Sequence, residues 1–275
     1  MLIVLFGKNG QLGWELQRIL PVLGQVLAFD YQELDLADLK ALQTKLDELK
    51  PDLIVNASAY TAVDRAESER DLAMTINGRA PGIMAEAARK SGAMLVHYST
   101  DYVFDGSKGS PYNEADAPNP LNVYGESKLA GEKAIQQVAN AYLILRTSWV
   151  YSTRLHTGFV RKVLTWARQN EVLRIVKDQV GCPTWARLLA EVTGLLISRG
   201  GNQLSDFFNS YAGIGLSSMA FKILSLCSVV SDWEVTIALF PYSPAIFFEV
   251  HIIKPVFAKP GDCRNQTRSG ADFRR

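Results

Sequence analysis

A tyrosine and a lysine stand four residues apart in the segment NVYGESKLAGEKAI, as Tyr124 and Lys128. On a helix, positions i and i+4 share one face. A free phenol titrates near pH ~10, and a cation held beside it favours the phenolate and lowers that value. Paired in this way, Tyr124 can exchange a proton with a carbonyl or hydroxyl oxygen as general acid or base. On an exposed helix face the same spacing does no chemistry, so the surrounding elements must decide. Two hydroxyls upstream bear on the question. Ser99 and Thr100 close the apolar run AMLVHYST, within HYSTDYVFDG. If that run is a parallel strand, the hydroxyls lie at its C-terminal end, where open α/β sheets bind ligands. A hydroxyl there can hold the oxygen that Tyr124 protonates.

A second chemical signal lies at the start of the chain. GKNGQLG places Gly7, Gly10 and Gly13 between the apolar run LIVLFG and a helical pattern, QLGWELQRILPVL. Glycines let the backbone turn tightly and come close to a pyrophosphate, which rests on the amides of the helix N-terminus. The strand–loop–helix context makes this a dinucleotide loop rather than a plain turn. Asp30 ends the next apolar run, QVLAFD. It is placed to take a ribose hydroxyl, which favours NADH over NADPH by repelling a 2′-phosphate. The same residue type also serves as a turn or cap.

These residues need a frame. LIVLFG, QVLAFD, DLIVNAS, AMLVHYST and LILRTSWVY are short apolar runs of the kind that form buried parallel strands. Between them, DLADLKALQTKLDELKP reads as a helix stopped by Pro51, DLAMTINGRAPGIMAEAARKSG as a helix ending near Gly92, and the Tyr124 segment as a third. Strand–helix alternation at this spacing predicts an α/β fold: a doubly wound parallel sheet covered by helices on both faces.

Composition removes other classes. The 275 residues carry a formal net charge of +1 without a basic block or acidic tail, which argues against nucleic acid or an anionic membrane as partner. Cys182, Cys227 and Cys263 are an odd count without CxxC spacing, so a disulfide framework or zinc site is not expected and a cytoplasmic setting is. MLIVLFGKNG has only six residues before its first glycine and lacks a basic start, so it reads as a strand rather than a secretory leader. No apolar run reaches the roughly 18 residues of a membrane span.

Glycine loop, strand-end Ser-Thr and YxxxK occur in one order. With FGKNGQLGWEL, PDLIVNASAYTAVDRAE, VHYSTDYVFDG, PLNVYGESKLAGE, RTSWVY and DQVGCPTWA, they make residues 1–199 resemble the extended short-chain dehydrogenases/reductases. Within them the resemblance is to the dTDP-4-dehydrorhamnose reductase family. It implies a Rossmann-like fold, NADPH or NADH as cofactor, and a nucleotide-sugar substrate reduced at C4, in a monomer or homodimer. It implies catalytic roles for Tyr124, Lys128 and Thr100. It places Gly7, Gly10, Gln11, Leu12, Asp30, Asp35, Leu36, Ala59, Tyr60, Thr61 and Tyr98 at the cofactor, together with Tyr124 and Lys128. Thr100, Asp101, Trp149, Pro183 and Thr184 would face the substrate. Two other functions share these motifs: a nucleotide-sugar epimerase or dehydratase, and a cofactor-binding regulatory subunit of the methionine adenosyltransferase type.

The chain departs from the family in two places. Some members hold Mg2+ at a dimer interface. Glu15 matches one ligand, but Arg187, a cation, stands at the next, so no metal site is expected. The expected organisation is a dinucleotide domain over 1–155 and the start of a substrate region over 156–199. Residues 200–275 follow as an atypical segment. Between Gly201 and Ile253 the only charged residues are Asp206, Lys222, Asp232, Glu234 and Glu249, and helical periodicity is lost. Loss of resemblance and of patterning at one point is the mark of a shifted reading frame or of a disordered segment.

Overall fold

The five apolar runs become five parallel strands, of which the three central ones are buried on both faces and the two edge strands only in part. The computed structural model describes residues 1–154, 158–170, 172–173 and 181–198, with two short strands at 235–237 and 250–252. The strands β1 (Leu2–Phe6), β2 (Gln25–Phe29), β3 (Leu53–Asn56), β4 (Met94–Thr100) and β5 (Tyr142–Thr147) form one sheet in the order β2-β1-β3-β4-β5. Every pairing in it is parallel. The chain leaves β1 for one side of the sheet and later fills the other side from β3 onward. The crevice between the C-terminal ends of β1 and β3 is therefore the topological switch point, where such sheets bind ligands.

Alternate residues of each strand feed two cores. Val4 and Phe6 face α2 (Leu39–Leu49) and α5 (Ala80–Ser91) through Leu42, Leu46, Met84 and Ala88. Ile3 and Leu5 face α1 (Gln11–Ile19) and α8 (Ala186–Ser198) through Leu12, Leu16, Ala190 and Leu196. The helix ends follow local chemistry. Asp38 Oδ1 accepts from the Ala41 amide at 2.9 Å to start α2, and Gly92 closes α5 at φ 73°. The second of these is the stop that the sequence predicts. Helix α8, expected on the substrate side, lies in the core of the main sheet.

Two expected elements take a different form. The single helix expected over DLAMTINGRAPGIMAEAARKSG is α4 (Arg70–Met74), a wide π turn at Thr75–Arg79, and then α5. The wide turn aims Asn77 inward. Its Oδ1 accepts from the Tyr60 amide at 2.8 Å, and its Nδ2 donates to Ser127 Oγ on α6 (Val123–Val138) at 3.0 Å. The expected fifth strand, LILRTSWVY, stops at Thr147. Ser148 Oγ instead donates to the Cys182 carbonyl at 2.6 Å and accepts from its amide at 3.0 Å. Trp149 adopts φ 46°, and β6 (Val150–Tyr151) pairs in parallel with β7 (Thr184–Trp185) as a separate ribbon.

The helix α7 (Phe159–Gln169) follows β6. The chain divides into units 1–213 and 214–275. Of the atypical segment, only β8 (Val235–Ile237) and β9 (Val250–Ile252) are described, as an antiparallel pair. The rest lies outside the described residues, as do Asp178, Gln179 and Val180 of the DQVGCPT stretch. No helix among the described residues is long and apolar enough to cross a membrane.

Helix α6 sits against the π turn without room for a side chain at Gly131, where an added Cβ would lie 2.2 Å from the Asn77 carbonyl oxygen. At Gly82 of α5 an added Cβ would meet only Ala134 Cβ, at 3.4 Å. Gly131→Ala is expected to lower unfolding stability by about 2 kcal/mol in denaturant melts. Gly82→Ala is expected to hold or gain up to ~1 kcal/mol through helix propensity. Equal effects of the two would contradict the close packing at Gly131.

Candidate active site

The glycine loop is shaped by contacts that exclude side chains. Gly7 adopts φ 82°, and a Cβ on it would lie 2.8 Å from the Ala57 backbone; one on Gly13 would lie 2.0 Å from the Gly7 carbonyl oxygen. Helix α1 thereby starts directly against the loop that follows β1. The carboxylate of Asp30 braces this loop, accepting from the Asn9 amide at 2.7 Å and the Tyr31 amide at 2.8 Å. Beside it opens a cavity of about 150 Å³ lined by Gly7, Asp30, Asp35, Leu36, Ala59 and Tyr60, among others. Six residues expected at a cofactor thus converge on one space at the switch point. Gly10 is the N-cap residue of α1, and Leu12 is a core residue beneath it. Gln11 Nε2 donates to the Val150 carbonyl at 3.1 Å, which ties the helix start to β6. Thr61 is exposed just beyond Tyr60.

The phenol and the amine share the buried side of α6. Asn122 Oδ1 accepts from the Gly125 amide at 2.7 Å and starts the helix, so Tyr124 falls in its first turn. An added Cβ on Gly125 would sit 2.2 Å from the Tyr102 carbonyl oxygen, so the first turn presses on the segment after β4. That segment supplies Thr100 and Asp101. Thr100 is 5% exposed; its Oγ1 donates to Asp101 Oδ1 at 3.0 Å. The Tyr124 ring meets Tyr102 edge-to-face at 5.5 Å between centroids, and packs with Tyr60 on Ala66, Ala73 and Val123.

The electrostatics overturn one expectation. Burial pushes the Tyr124 phenol up to about 12, opposed by the Thr100 hydroxyl beside it and helped by the charge of Asp101. The lysine does not bring it down, because its amine points elsewhere. Lys128 is 1% exposed, and its Nζ donates to the Tyr98 carbonyl at 2.6 Å. Burial lowers Lys128 itself to about 8, with the Glu132 carboxylate opposing. Low dielectric raises the cost of the phenolate and of the ammonium alike. Tyr98 meets Lys128 through its backbone only. Its side chain lies on the opposite face, where its hydroxyl and Thr193 Oγ1 of α8 are 2.8 Å apart.

The residues expected at the substrate form a second group. Thr147 pairs with Thr100 across β4 and β5, and Trp149 follows two residues later. The Trp149 ring is 42% exposed and lies flush on Gly181, where an added Cβ would be 2.7 Å from Cε2. Thr184 donates its amide to the Trp149 carbonyl at 3.3 Å, and Pro183 is exposed beside it.

The chain is 49% identical over 193 residues to a dTDP-4-dehydrorhamnose reductase of Burkholderia thailandensis, covering 70% of this chain and 64% of that one. It is 48% identical over 197 residues to one of Escherichia coli strain K12, covering 70% and 66%. The chain thus spans just under two-thirds of the length of these curated relatives. A Bacillus anthracis dTDP-4-dehydrorhamnose reductase, solved in complex with NADP, superposes with TM-score 0.68 at 39% identity, covering 72% of this chain and 70% of that one. Residues 1–215 match the family described as RmlD substrate binding domain. The chain belongs to the dTDP-4-dehydrorhamnose reductase family.

Reading by family motif misses residues that the structure brings to these sites. Tyr31, Leu34, Ser58 and Ile76 also line the cavity. His97 lies beside Lys128 and Asn56 beside His97, each 1% exposed. Their signal in the sequence is a polar residue that closes an apolar run in LIVN and interrupts one in LVHYST. Glu15 is 4% exposed; Arg187 pairs with Glu191 at 2.9 Å, which favours its charge, and the charge of Glu15 adds to this more weakly.

The lysine makes stability depend on pH in a defined window. Folded Lys128 titrates near 8 against an ordinary 10.5. Between those values the unfolded chain holds a proton that the folded chain lacks, so stability rises with pH there. The gain is complete above the upper value and is lost as pH falls through about 8. Lys128→Met is expected to flatten this rise, which is at most about 3 kcal/mol, in denaturant melts run across the window. A slope identical to the parent's would contradict the buried amine.

Proposed function

We propose that this chain reduces the C4 ketone of dTDP-4-dehydro-L-rhamnose to the alcohol of dTDP-L-rhamnose, with NADPH or NADH, in the cytoplasm as a monomer or homodimer. The observation that carries the reading is the half-buried Tyr124 phenol beside buried Thr100 at the C-terminal end of β4, next to the glycine-loop cavity. Family membership supports the substrate. The Gly7 loop, where an added Cβ would overlap the Ala57 backbone, and the cavity edged by Asp30, Asp35 and Leu36 fit a dinucleotide. When bound, the nicotinamide supplies the hydride.

The remaining work falls to side chains. Thr100 and Tyr124 hold the ketone oxygen, and Tyr124 gives it a proton as C4 receives the hydride. A phenol pushed up to about 12 stays protonated at neutral pH, the state in which it can donate. Lys128 orients the nicotinamide ribose. Trp149 packs on the sugar, with Asp101, Pro183 and Thr184 around the rest of the substrate. In this reading residues 1–155 bind the dinucleotide, and residues 156–199, apart from α8 in the core of the sheet, begin the sugar side.

The test is consumption of NADPH and of NADH with dTDP-4-dehydro-L-rhamnose. Turnover is expected in the wild-type chain. Tyr124→Phe is expected to lose about 10²–10⁴-fold in kcat, with reduced-nicotinamide binding, read by fluorescence, retained. Cofactor binding without turnover in the wild type would overturn the reductase reading in favour of a cofactor-binding chain.

A further inference from the structure

Behind the phenol lies a line of buried polar groups. Asn56 and His97 are register neighbours on β3 and β4, so their side chains leave the same face of the sheet. Asn56 Nδ2 and His97 Nδ1 are 3.0 Å apart, and His97 Nε2 is 3.2 Å from Lys128 Nζ. All three residues are 1% exposed.

One fixed donor orders the whole line. The Ser58 backbone N–H donates to Asn56 Oδ1 at 3.1 Å. An amide N–H can only donate. Turning the Asn56 side chain over would set its NH2 against that N–H. Asn56 therefore presents Nδ2, a donor, to His97 Nδ1, which must accept. The proton of the neutral imidazole then sits on Nε2, facing the lysine. A neutral amine suits this arrangement: it donates to the Tyr98 carbonyl and accepts from Nε2–H through its lone pair. An ammonium has only donors and would confront Nε2–H.

Among the described residues the charged neighbours are few. Helix α6 presents Glu132, which favours the lysine's charge and is paired with Arg146 of β5 at 2.6 Å. Beyond β4 lies Asp101, whose charge acts on Tyr124. Strand β3 presents neutral Asn56, and the π turn neutral Asn77, bonded to Ser127. Burial above all holds His97 well below its ordinary value, so the imidazole is neutral.

We propose that His97 is a positioning residue for Lys128: held by Asn56 with its proton on Nε2, it disfavours the ammonium and so sets when the lysine gains and gives up its proton. This deepens the reductase reading and rests on it for the reaction served, while the proton state itself can be read without turnover.

Nitrogen NMR of the full wild-type chain tests the tautomer directly. The expected result is a neutral His97 ring with its proton on Nε2; a proton on Nδ1 overturns the proposal. Carbon NMR of 13C-lysine-labelled chain, with Lys128 assigned by its loss in Lys128→Met, follows the amine. In His97→Gln the side-chain amide can turn its oxygen toward an ammonium. In Asn56→Asp the carboxylate draws the imidazole proton to Nδ1 and frees Nε2 to accept. Each is expected to raise the Lys128 midpoint by about one unit. The lysine-dependent limb of the kcat–pH profile should move the same way, with KM for the nucleotide sugar within about twofold. Purely structural damage would lower activity at every pH without moving the midpoint. An unmoved midpoint in an active wild-type background overturns this inference alone. Expected NMR results without turnover overturn the reductase reading and leave His97 in control of the lysine's proton.

Discussion

A primary amine buried against the end of β4 is the constraint on which the site depends. Removing an amine from water is costly unless it is hydrogen-bonded and able to shed its charge. The structure supplies both conditions: the Tyr98 carbonyl accepts from it, and burial lets it shed its charge against the opposing carboxylate of Glu132, one turn further along the same helix. Glu132 is itself buried and bound by both its oxygens to Arg146, at 3.0 and 2.6 Å. Helix α6 is thus fastened to β4 by an amine and to β5 by an ion pair. These contacts hold the helix, and with it Tyr124, against the end of β4.

The opposite side of α6 is held as firmly, by a segment that contributes nothing to the sheet. Between β3 and α5 the chain forms α3 (Val63–Ala66) and α4, from which three acidic or basic groups reach α6 or its neighbours. Glu67 accepts from the Val123 amide at 2.9 Å, so a carboxylate sits at the positive end of the helix. Arg70 pairs with Glu126 at 2.7 Å, and Tyr60 donates to Glu69 at 2.6 Å. The π turn then inserts Asn77 between Tyr60 and Ser127. The glycine cavity and the phenol are therefore linked through Tyr60, which lines the first and packs beside the second.

Much of this was legible beforehand, and for identifiable reasons. Parallel strands are read from continuous apolar runs, and all five appeared. Gly92 ended its helix because a left-handed cap needs a residue without Cβ. The sequence misled where a side chain outweighed the local pattern. LILRTSWVY reads as one strand, but the Ser148 hydroxyl takes both backbone groups of Cys182 and turns the chain into a second ribbon. YxxxK spacing suggested an ammonium lowering a phenol. Spacing specifies which helix face two residues share, and says nothing of where a long flexible amine will find its acceptor.

The sequence by itself determined the architecture, the family, and the residue types present at each strand end, because these depend on hydrophobic period, glycine placement and motif order along the chain. Only the tertiary structure decided the protonation chemistry. Whether Tyr124 is a phenol or a phenolate depends on burial and on the direction of Lys128. Those in turn depend on Asn56, His97 and Tyr98, residues drawn from two other strands and brought within hydrogen-bond reach by the register of the sheet.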